Sequence, residues 1–262
     1  MLHRRSFIQS LSGFTTSLLF ASDAISLQTK KRDRLGEIMP QRTLGRTGEE
    51  VTMLGVGGYH FAKNSESESE AIIEAALEGG VRFFDNAAVY HEGLSEERMG
   101  KLLTPKYRDV VFLMTKSMAE NAEDAKQEID ASLKRLNTDY LDLWQVHGIM
   151  SPEDIENRIA EGVLEIAQKA KAAGKIRHIG FTGHRAPKGL VHALELTGDN
   201  KDLDIFETCQ MPTNVLDPSY DSFINIVLPK LIEKNIGVLA MKTLAIGRFF
   251  EKHVVPDRIS LN

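Results

Sequence analysis

Four ionisable residues follow three successive apolar runs of the chain, and their types suit proton-transfer chemistry. Asp85 and Tyr90 come just after residues 81–84, and Lys116 and His147 follow the next two apolar runs. If these runs are neighbouring parallel strands, their carboxyl ends meet on one face, where the four side chains can be close together. The order of these residues therefore predicts an active site at the mouth of a barrel.

Tyr90 is the candidate proton donor. A phenol has an ordinary pKa of ~10, which makes it a poor acid near neutral pH. We expect the ammonium group of Lys116 to stabilise the phenolate and make Tyr90 more acidic, with Asp85 keeping Lys116 charged and in place. His147 would hydrogen-bond and orient a substrate oxygen. Such a set suits reduction of a carbonyl, provided that a cofactor delivers the hydride.

Each of these residues also has an ordinary structural explanation. An aspartate after a strand is often a cap, a lysine is usually solvated, and a tyrosine is more often a packing residue. Their placement in order at successive strand ends is what favours catalysis.

Short apolar runs alternate with helical patterns along most of the chain. The runs begin near residues 53, 81, 109, 140, 176, 204 and 236. They are apolar throughout, as expected for parallel strands that are buried on both faces. A strand–helix period of roughly thirty residues predicts an α/β fold of the (β/α)₈ TIM-barrel type, with a doubly wound sheet as the alternative.

Local signals place several helices and one hairpin. Residues 41–45 and 50–52 flank a turn and predict a β-hairpin that could plug the bottom of the barrel. Apolar spacings of three and four predict helices, one of them beginning at the N-cap Ser151 and ending at Gly174.

Seven strand–helix units can be read from the sequence, and the eighth is missing. About twenty residues follow the seventh run, so we expect an incomplete barrel whose first and seventh strands keep open edges. The predicted organisation is a signal peptide over 1–24, a linker over 25–40 and a truncated barrel domain over 41–262.

The amino terminus has the features of a twin-arginine (Tat) signal. Arg4 and Arg5 precede an apolar stretch over 11–21, and small residues at Ser22 and Ala24 suit cleavage. These features predict export of the folded protein to the periplasm by the Tat machinery, with no membrane anchor after cleavage. The alternative is a chance arginine pair before an amphipathic helix.

Composition excludes several classes of protein. The chain has 262 residues, of which 42% are apolar and 26% charged, as in an ordinary globular protein. Its net charge of −5 gives no basic surface of the kind that binds nucleic acid, so we expect no nucleic-acid partner. The single cysteine, Cys209, excludes an internal disulfide and a cysteine-rich metal centre.

Several motifs together resemble the aldo-keto reductase superfamily, from about Gln41 to Arg248. They are Gly45-Arg46-Thr47-Gly48, Leu54-Gly55-Val56-Gly57-Gly58, Phe84-Asp85-Asn86-Ala87-Ala88-Val89-Tyr90, Thr115-Lys116, Val146-His147 and Gly180-Phe181-Thr182-Gly183-His184. The resemblance implies an NADPH-dependent reductase of small carbonyl substrates. Tyr90 would be the proton donor, supported by Asp85, Lys116 and His147.

The resemblance also implies a set of cofactor contacts. The set is Gly58, Thr182, Gly183, Gln210, Met241 and Lys242. This chain departs from the family where Gly183-His184 stands in place of the usual Ser-Asn pair. It also lacks the basic residues that clamp the adenosine 2′-phosphate after strand eight, so the choice between NADP and NAD stays open.

Two other functions compete with this interpretation. His60, His147, His184 and Asp85 could converge as the ligands of a metal-dependent hydrolase. A barrel without its last unit could instead be an inactive cofactor-binding or sensor module.

Overall fold

The structure is a computed structural model that describes residues 31–199 and 204–245. The described residues from Arg32 to position 245 belong to one compact unit. The predicted signal peptide, residues 1–24, lies outside the described residues. None of the described helices is both long enough and apolar enough to cross a membrane.

Two short antiparallel ladders precede the main sheet. They are β1 (Arg32–Asp33) with β2 (Gly36–Glu37), and β3 (Gln41–Thr43) with β4 (Glu50–Thr52). The second ladder is the hairpin that the sequence predicts.

A parallel sheet with its strands in chain order forms the centre of the fold. Its seven strands are β5 (Gly55–Gly57), β6 (Phe83–Asp85), β7 (Phe112–Ser117), β8 (Leu141–Val146), β9 (Ile176–Thr182), β10 (Thr208–Pro212) and β11 (Gly237–Met241). Each matches one of the predicted apolar runs, and the α/β barrel class is confirmed. Within the described residues, β5 and β11 each pair on one side only.

Helices connect the strands and cover the outer face of the sheet. They are α1 (Glu66–Glu78), α2 (Leu94–Leu102), α3 (Thr104–Tyr107), α4 (Ala122–Arg135), α5 (Pro152–Ala160), α6 (Val163–Ala172), α7 (Pro187–Asp199), α8 (Phe223–Ile226) and α9 (Leu228–Glu233). Outward-facing strand residues such as Leu113 and Trp144 are buried in the main apolar core with residues of these helices. The inward-facing residues of the same strands are therefore left to build the interior and the site.

The prediction of one helix between Ser151 and Gly174 is wrong in part. Ser151 caps the helix as expected, since its hydroxyl accepts a bond from the Asp154 N–H (3.2 Å). The helical pattern nevertheless divides into α5 and α6 at Gly162, whose φ is 83°. The Ala122 N–H binds the Glu161 carbonyl (2.8 Å) from the start of α4, and this non-local contact fixes the break.

The β3–β4 hairpin closes the lower end of the sheet's inner face. Leu44 and Val51 of the hairpin pack against Phe83, Met114 and Leu143, which point to the interior. By the alternation of strand residues, these three share a face with Asp85, Lys116 and Gln145 one step higher. The hairpin therefore provides an apolar floor beneath the polar mouth.

Residues 32–40 pack against the barrel, unlike the linker that we predicted over this stretch. Asp33 forms an ion pair with the buried Arg82 (2.6 Å), and Arg34 pairs with Asp109 (2.6 Å). The Met39 N–H also donates to the Gly80 carbonyl (2.9 Å).

Candidate active site

Asp85 and Lys116 form a buried ion pair at the ends of two adjacent strands. Asp85 is the last residue of β6, and Lys116, on β7, pairs with it through its Nζ. The same Nζ donates to the Asn86 carbonyl (2.6 Å), and the Lys116 side chain is only 2% exposed. Because the lysine is almost completely buried, its charge acts chiefly on its neighbours within the mouth.

Tyr90 lies over this ion pair. The loop that carries it stays attached to β7, because the Ala88 N–H donates to the Lys116 carbonyl (2.9 Å). Lys116 Nζ is 5.0 Å from the centre of the Tyr90 ring. The ring of His147 meets Tyr90 edge-on at 6.0 Å, and Tyr59 does so at 5.3 Å. The structure thus brings the four sequence-predicted residues together at one place.

The expectation that Tyr90 is more acidic than an ordinary tyrosine is wrong, because its pKa is raised overall. Burial raises the pKa of Tyr90 above its ordinary value, and this outweighs the charge and hydrogen bond of Lys116, which lower it. The negative charge of Asp85 adds to the rise. Tyr90 is therefore protonated across the physiological range, and Lys116 limits the rise in its pKa.

Lys116 remains an ammonium despite its burial. Burial by itself lowers the pKa of Lys116, but the interactions of its ammonium group with Asp85 and Tyr90 outweigh this effect, and the pKa is raised overall. A fixed cation therefore lies beside Tyr90 at neutral pH.

His147 is a neutral imidazole at the same place. Burial, followed by the positive charge of Lys116, lowers the pKa of His147 to about 3. Its Nδ1 is buried and has no hydrogen-bond partner among the described residues. An unsatisfied buried polar atom is unfavourable, and among the described residues no hydrogen bond at Nδ1 fixes the tautomer of this ring.

Sequence reasoning named Gln210 only as a cofactor contact and missed the chain of buried side chains through which it supports Asp85. The Thr208 hydroxyl donates to Gln145 (3.3 Å), Gln145 donates to Gln210 (3.5 Å), and Gln210 donates to Asp85 Oδ2 (2.8 Å). Gln145 could have been found from the sequence, because it lies two residues before His147 on a strand. Asn86, whose carbonyl accepts from Lys116, directly follows Asp85.

The predicted cofactor contacts at the ends of β5 and β9 and on β10 border the site. Gly58 lies against Asp85, since a Cβ at Gly58 would be 2.8 Å from the Asp85 carbonyl oxygen. The hydroxyl of Thr182 accepts from the Gly148 N–H (2.8 Å), and the Gly183 N–H donates to the Gln210 carbonyl (3.2 Å). These residues form a close-packed wall next to the Asp85–Gln210 contact.

Positive charge collects on the β9 and β11 side of the mouth. Lys242 Nζ lies 3.2 Å from His184 Nδ1. Burial, then the charge of Lys242, lowers the pKa of His184 to about 4. Burial and nearby Arg185 lower the pKa of Lys242. Among residues 31–199 and 204–245, no carboxylate pairs with Lys242 or Arg185, so these cations suit an anionic ligand.

The metal-hydrolase alternative finds no ligand set in the described part of the chain. There, no three histidine, cysteine, aspartate or glutamate side chains are grouped closely enough to hold a metal ion. His147 and His184 are adjacent, with ring centres 5.8 Å apart.

Comparisons with known proteins agree on one family for this chain. The model of the aldo/keto reductase family matches residues 53–260. L-galactose dehydrogenase of Arabidopsis thaliana is 30% identical over 237 residues, which cover 80% of this chain and 67% of the relative. Aldo-keto reductase YhdN of Bacillus subtilis is 34% identical, covering 55% and 47%. The chain thus spans about half to two thirds of the length of these relatives.

Solved structures show the same fold. An aldo-keto reductase of Bacillus halodurans in its holo form superposes with a TM-score of 0.67 at 24% identity, covering 84% of this chain and 71% of the other. An aldo/keto reductase of Klebsiella pneumoniae, solved with NADP and acetate, gives a TM-score of 0.65 at 22% identity, covering 82% and 72%.

Proposed function

The chain belongs to the aldo/keto reductase family, and on that premise we propose that it reduces small aldehydes or ketones to alcohols with NADPH. The observation that carries the proposal is the buried Asp85–Lys116 ion pair beneath Tyr90. A reduced carbonyl needs a proton at oxygen as well as a hydride at carbon. A protonated phenol beside a fixed cation meets the first need.

Tyr90 donates the proton in this proposal, and Lys116 stabilises the phenolate that remains. The two effects on the phenol are separate: burial keeps Tyr90 protonated before reaction, and the ammonium of Lys116 favours the anion after it. Asp85 holds Lys116 in place, and Gln210 holds Asp85. Because these groups are already oriented, they need little reorganisation during proton transfer.

His147 orients the substrate carbonyl. Its ring is neutral, faces Tyr90 edge-on, and has a buried nitrogen without a partner in the described residues. A neutral imidazole can donate a hydrogen bond without competing as an acid, so Tyr90 stays the proton source.

NADP(H) is the cofactor of the family, and the residues of this site fit it. The cations Lys242 and Arg185, which no described carboxylate neutralises, would hold the phosphates, while Thr182, Gly183 and Gln210 would contact the nicotinamide end. Gly58 and Met241 would border the ring. When bound, the reduced nicotinamide supplies the hydride that no side chain can give.

The central test is Tyr90→Phe, which removes the donor hydroxyl and keeps the ring. We expect carbonyl-dependent NADPH oxidation to fall by about 100-fold or more, since general acid catalysis contributes about 10²–10⁴-fold. NADPH binding, followed by its fluorescence, should stay within about two-fold of the wild type. The reason is that the hydroxyl acts in the proposed proton transfer, whereas the ring that remains preserves the shape of the site.

Tyr107→Phe is the matched control. Its hydroxyl binds Glu74 on α1, away from the mouth, so turnover should be unchanged. Wild-type turnover that survives Tyr90→Phe would refute the assignment of Tyr90. NADPH binding by a wild type that reduces no carbonyl would favour the cofactor-binding module instead.

A second proposal concerns location. Arg4-Arg5, the apolar stretch and the small residues near Ala24 support export through the Tat system to the periplasm. Folding around a cofactor before export is compatible with that route.

A further inference from the structure

Glu96 is a buried carboxylate that the proposed chemistry does not use. It lies in the first turn of α2 and is 0% exposed. The Thr115 hydroxyl donates to its Oε1 (2.5 Å), and the Ser132 hydroxyl (3.2 Å) and Arg135 Nε (2.7 Å) donate to its Oε2. A buried carboxylate is tolerated only when it is paired in this way, so its partners identify the elements that it holds together.

One of these partners is adjacent to the site. Thr115 and Lys116 are neighbours on β7, and their side chains point to opposite faces of the sheet. Lys116 faces Asp85 in the interior, whereas Thr115 faces α2 on the outside. Glu96 therefore holds β7 by a hydrogen bond on its outer face, at the residue next to Lys116.

The same end of α2 directly follows the loop that carries Tyr90. Between Tyr90 and α2 the chain makes a left-handed turn, with φ of 52° at His91, 58° at Glu92 and 92° at Gly93. Side chains at two of these positions are strained in such a conformation, which persists only where the surroundings enforce it.

Ser95, next to Glu96, supplies one of these restraints. Its N–H lies 3.4 Å from the Tyr90 carbonyl, and its hydroxyl donates to the Gly58 carbonyl (2.6 Å). The first turn of α2 is thus bonded to the Tyr90 loop at one residue and to β7 at the next. Any shift of α2 along β7 would move Tyr90 relative to Lys116.

From these contacts we infer that Glu96 is a positioning residue, which sets the separation between Tyr90 and Lys116 through its bond to Thr115. The inference rests on the proposed function for its kinetic test. It also has a readout that needs no turnover.

The test compares two hydroxyls that bind the same carboxylate. Thr115→Val keeps the shape of the side chain but removes the bond to β7, and Ser132→Ala removes the bond to α4, which is remote from Tyr90. We expect Thr115→Val to lower kcat by about 10-fold with little change in the KM for NADPH, since small misplacements far from the chemistry cost up to about 100-fold. Ser132→Ala should leave kcat within about two-fold, and Thr115→Ser should restore it.

The second readout is the titration of Tyr90 itself, followed by NMR with ¹³Cζ-labelled tyrosine and assigned with Tyr90→Phe. The groups that act on this phenol are Lys116, Asp85 and Tyr59. Moving Tyr90 away from Lys116 should raise its pKa in Thr115→Val, while Ser132→Ala should leave it as in the wild type. Thermal unfolding checks that each variant is folded, and Thr115→Ala replaces Thr115→Val if the latter is not.

Equal effects of the two substitutions on kcat and on the Tyr90 titration would overturn the inference, because Glu96 would then only stabilise the fold. If the wild type reduces no carbonyl, the proposed function fails by itself, and the titration alone decides the role of Glu96.

Discussion

Burial sets the protonation states of the ionisable side chains at the mouth. Tyr90 is kept protonated, His147 is kept neutral, and Lys116 stays charged because Asp85 compensates its loss of water. A protonated acid, a neutral hydrogen-bonding ring and a fixed cation are the states that carbonyl reduction requires. At the residue scale, the side chains therefore already have the protonation states that the proposed reaction needs.

The neutral state of His147 should make the fold sensitive to acid. Its folded pKa of about 3 is below the unfolded value of 6.5, so the unfolded chain takes up the proton first. The contribution of this group to stability is complete above about pH 6.5 and is lost as the pH falls toward about 3. His147→Gln should reduce the slope of the unfolding free energy against pH in this window, measured by urea denaturation.

His192→Gln is the matched control for that experiment. His192 is on α7, where it pairs with Glu156 on α5 outside the mouth. An identical change of slope in both variants would show that the acid sensitivity does not come from His147.

At the scale of elements, the β3–β4 hairpin is held against the last described strand by contact between backbones. Gly45 has φ of 52°, and a Cβ there would be 2.2 Å from the Gly237 nitrogen. The Arg46 N–H donates to the Asn235 carbonyl (2.6 Å), and its guanidinium pairs with Asp204 (2.7 Å). The hairpin thus joins the floor of the interior to the strands at the far side of the sheet.

Gly45→Ala should therefore lower stability by more than conformational strain alone. A left-handed alanine costs about 1–2 kcal/mol, and the clash with Gly237 should bring the loss to about 3 kcal/mol or more. Gly48→Ala is the control, because its φ of 73° is similar but nothing lies within 4 Å of its added Cβ. Equal losses of unfolding free energy in the two variants would contradict a close approach of hairpin and strand.

At the scale of the whole molecule, the inner face of the sheet is apolar at its lower end and polar at the carboxyl ends of the strands. Leu44, Val51 and Phe83 form the apolar floor, and the ionisable groups gather above it at the carboxyl ends of the strands. The apolar floor excludes water from below, which strengthens the electrostatic interactions of Lys116 and Asp85. The apolar floor and the proposed active site therefore lie at opposite ends of the same strands.

The proposed export concerns the whole chain and is tested on it. Replacing both Arg4 and Arg5 with lysine should retain the protein in the cytoplasm of a Tat-competent bacterium, because the paired arginines are the recognised feature. Cell fractionation measures the shift, and a Lys30→Arg variant outside the motif serves as the control. Periplasmic protein that persists after the double substitution would refute the Tat assignment.

Much of the fold could be predicted because its signals are local. Each of the seven strands coincides with a short apolar run, and the hairpin and the Ser151 cap follow from turn and capping residues. Asp85, Tyr90, Lys116 and His147 could be placed at the mouth because the ends of parallel strands share one face. The division of one predicted helix at Gly162 could not, since the bond that fixes it comes from Ala122 on another element.

By itself, the sequence determined the fold class, the family and the residues that face each other across the mouth, because strand periodicity and motif spacing are written along the chain. Only the tertiary structure decided the net direction in which the pKa of Tyr90 is shifted, the hydrogen bond from Gln210 to Asp85, and the hydrogen bond between Thr115 of β7 and Glu96. These depend on burial and on distances between residues far apart in sequence, which no local pattern specifies.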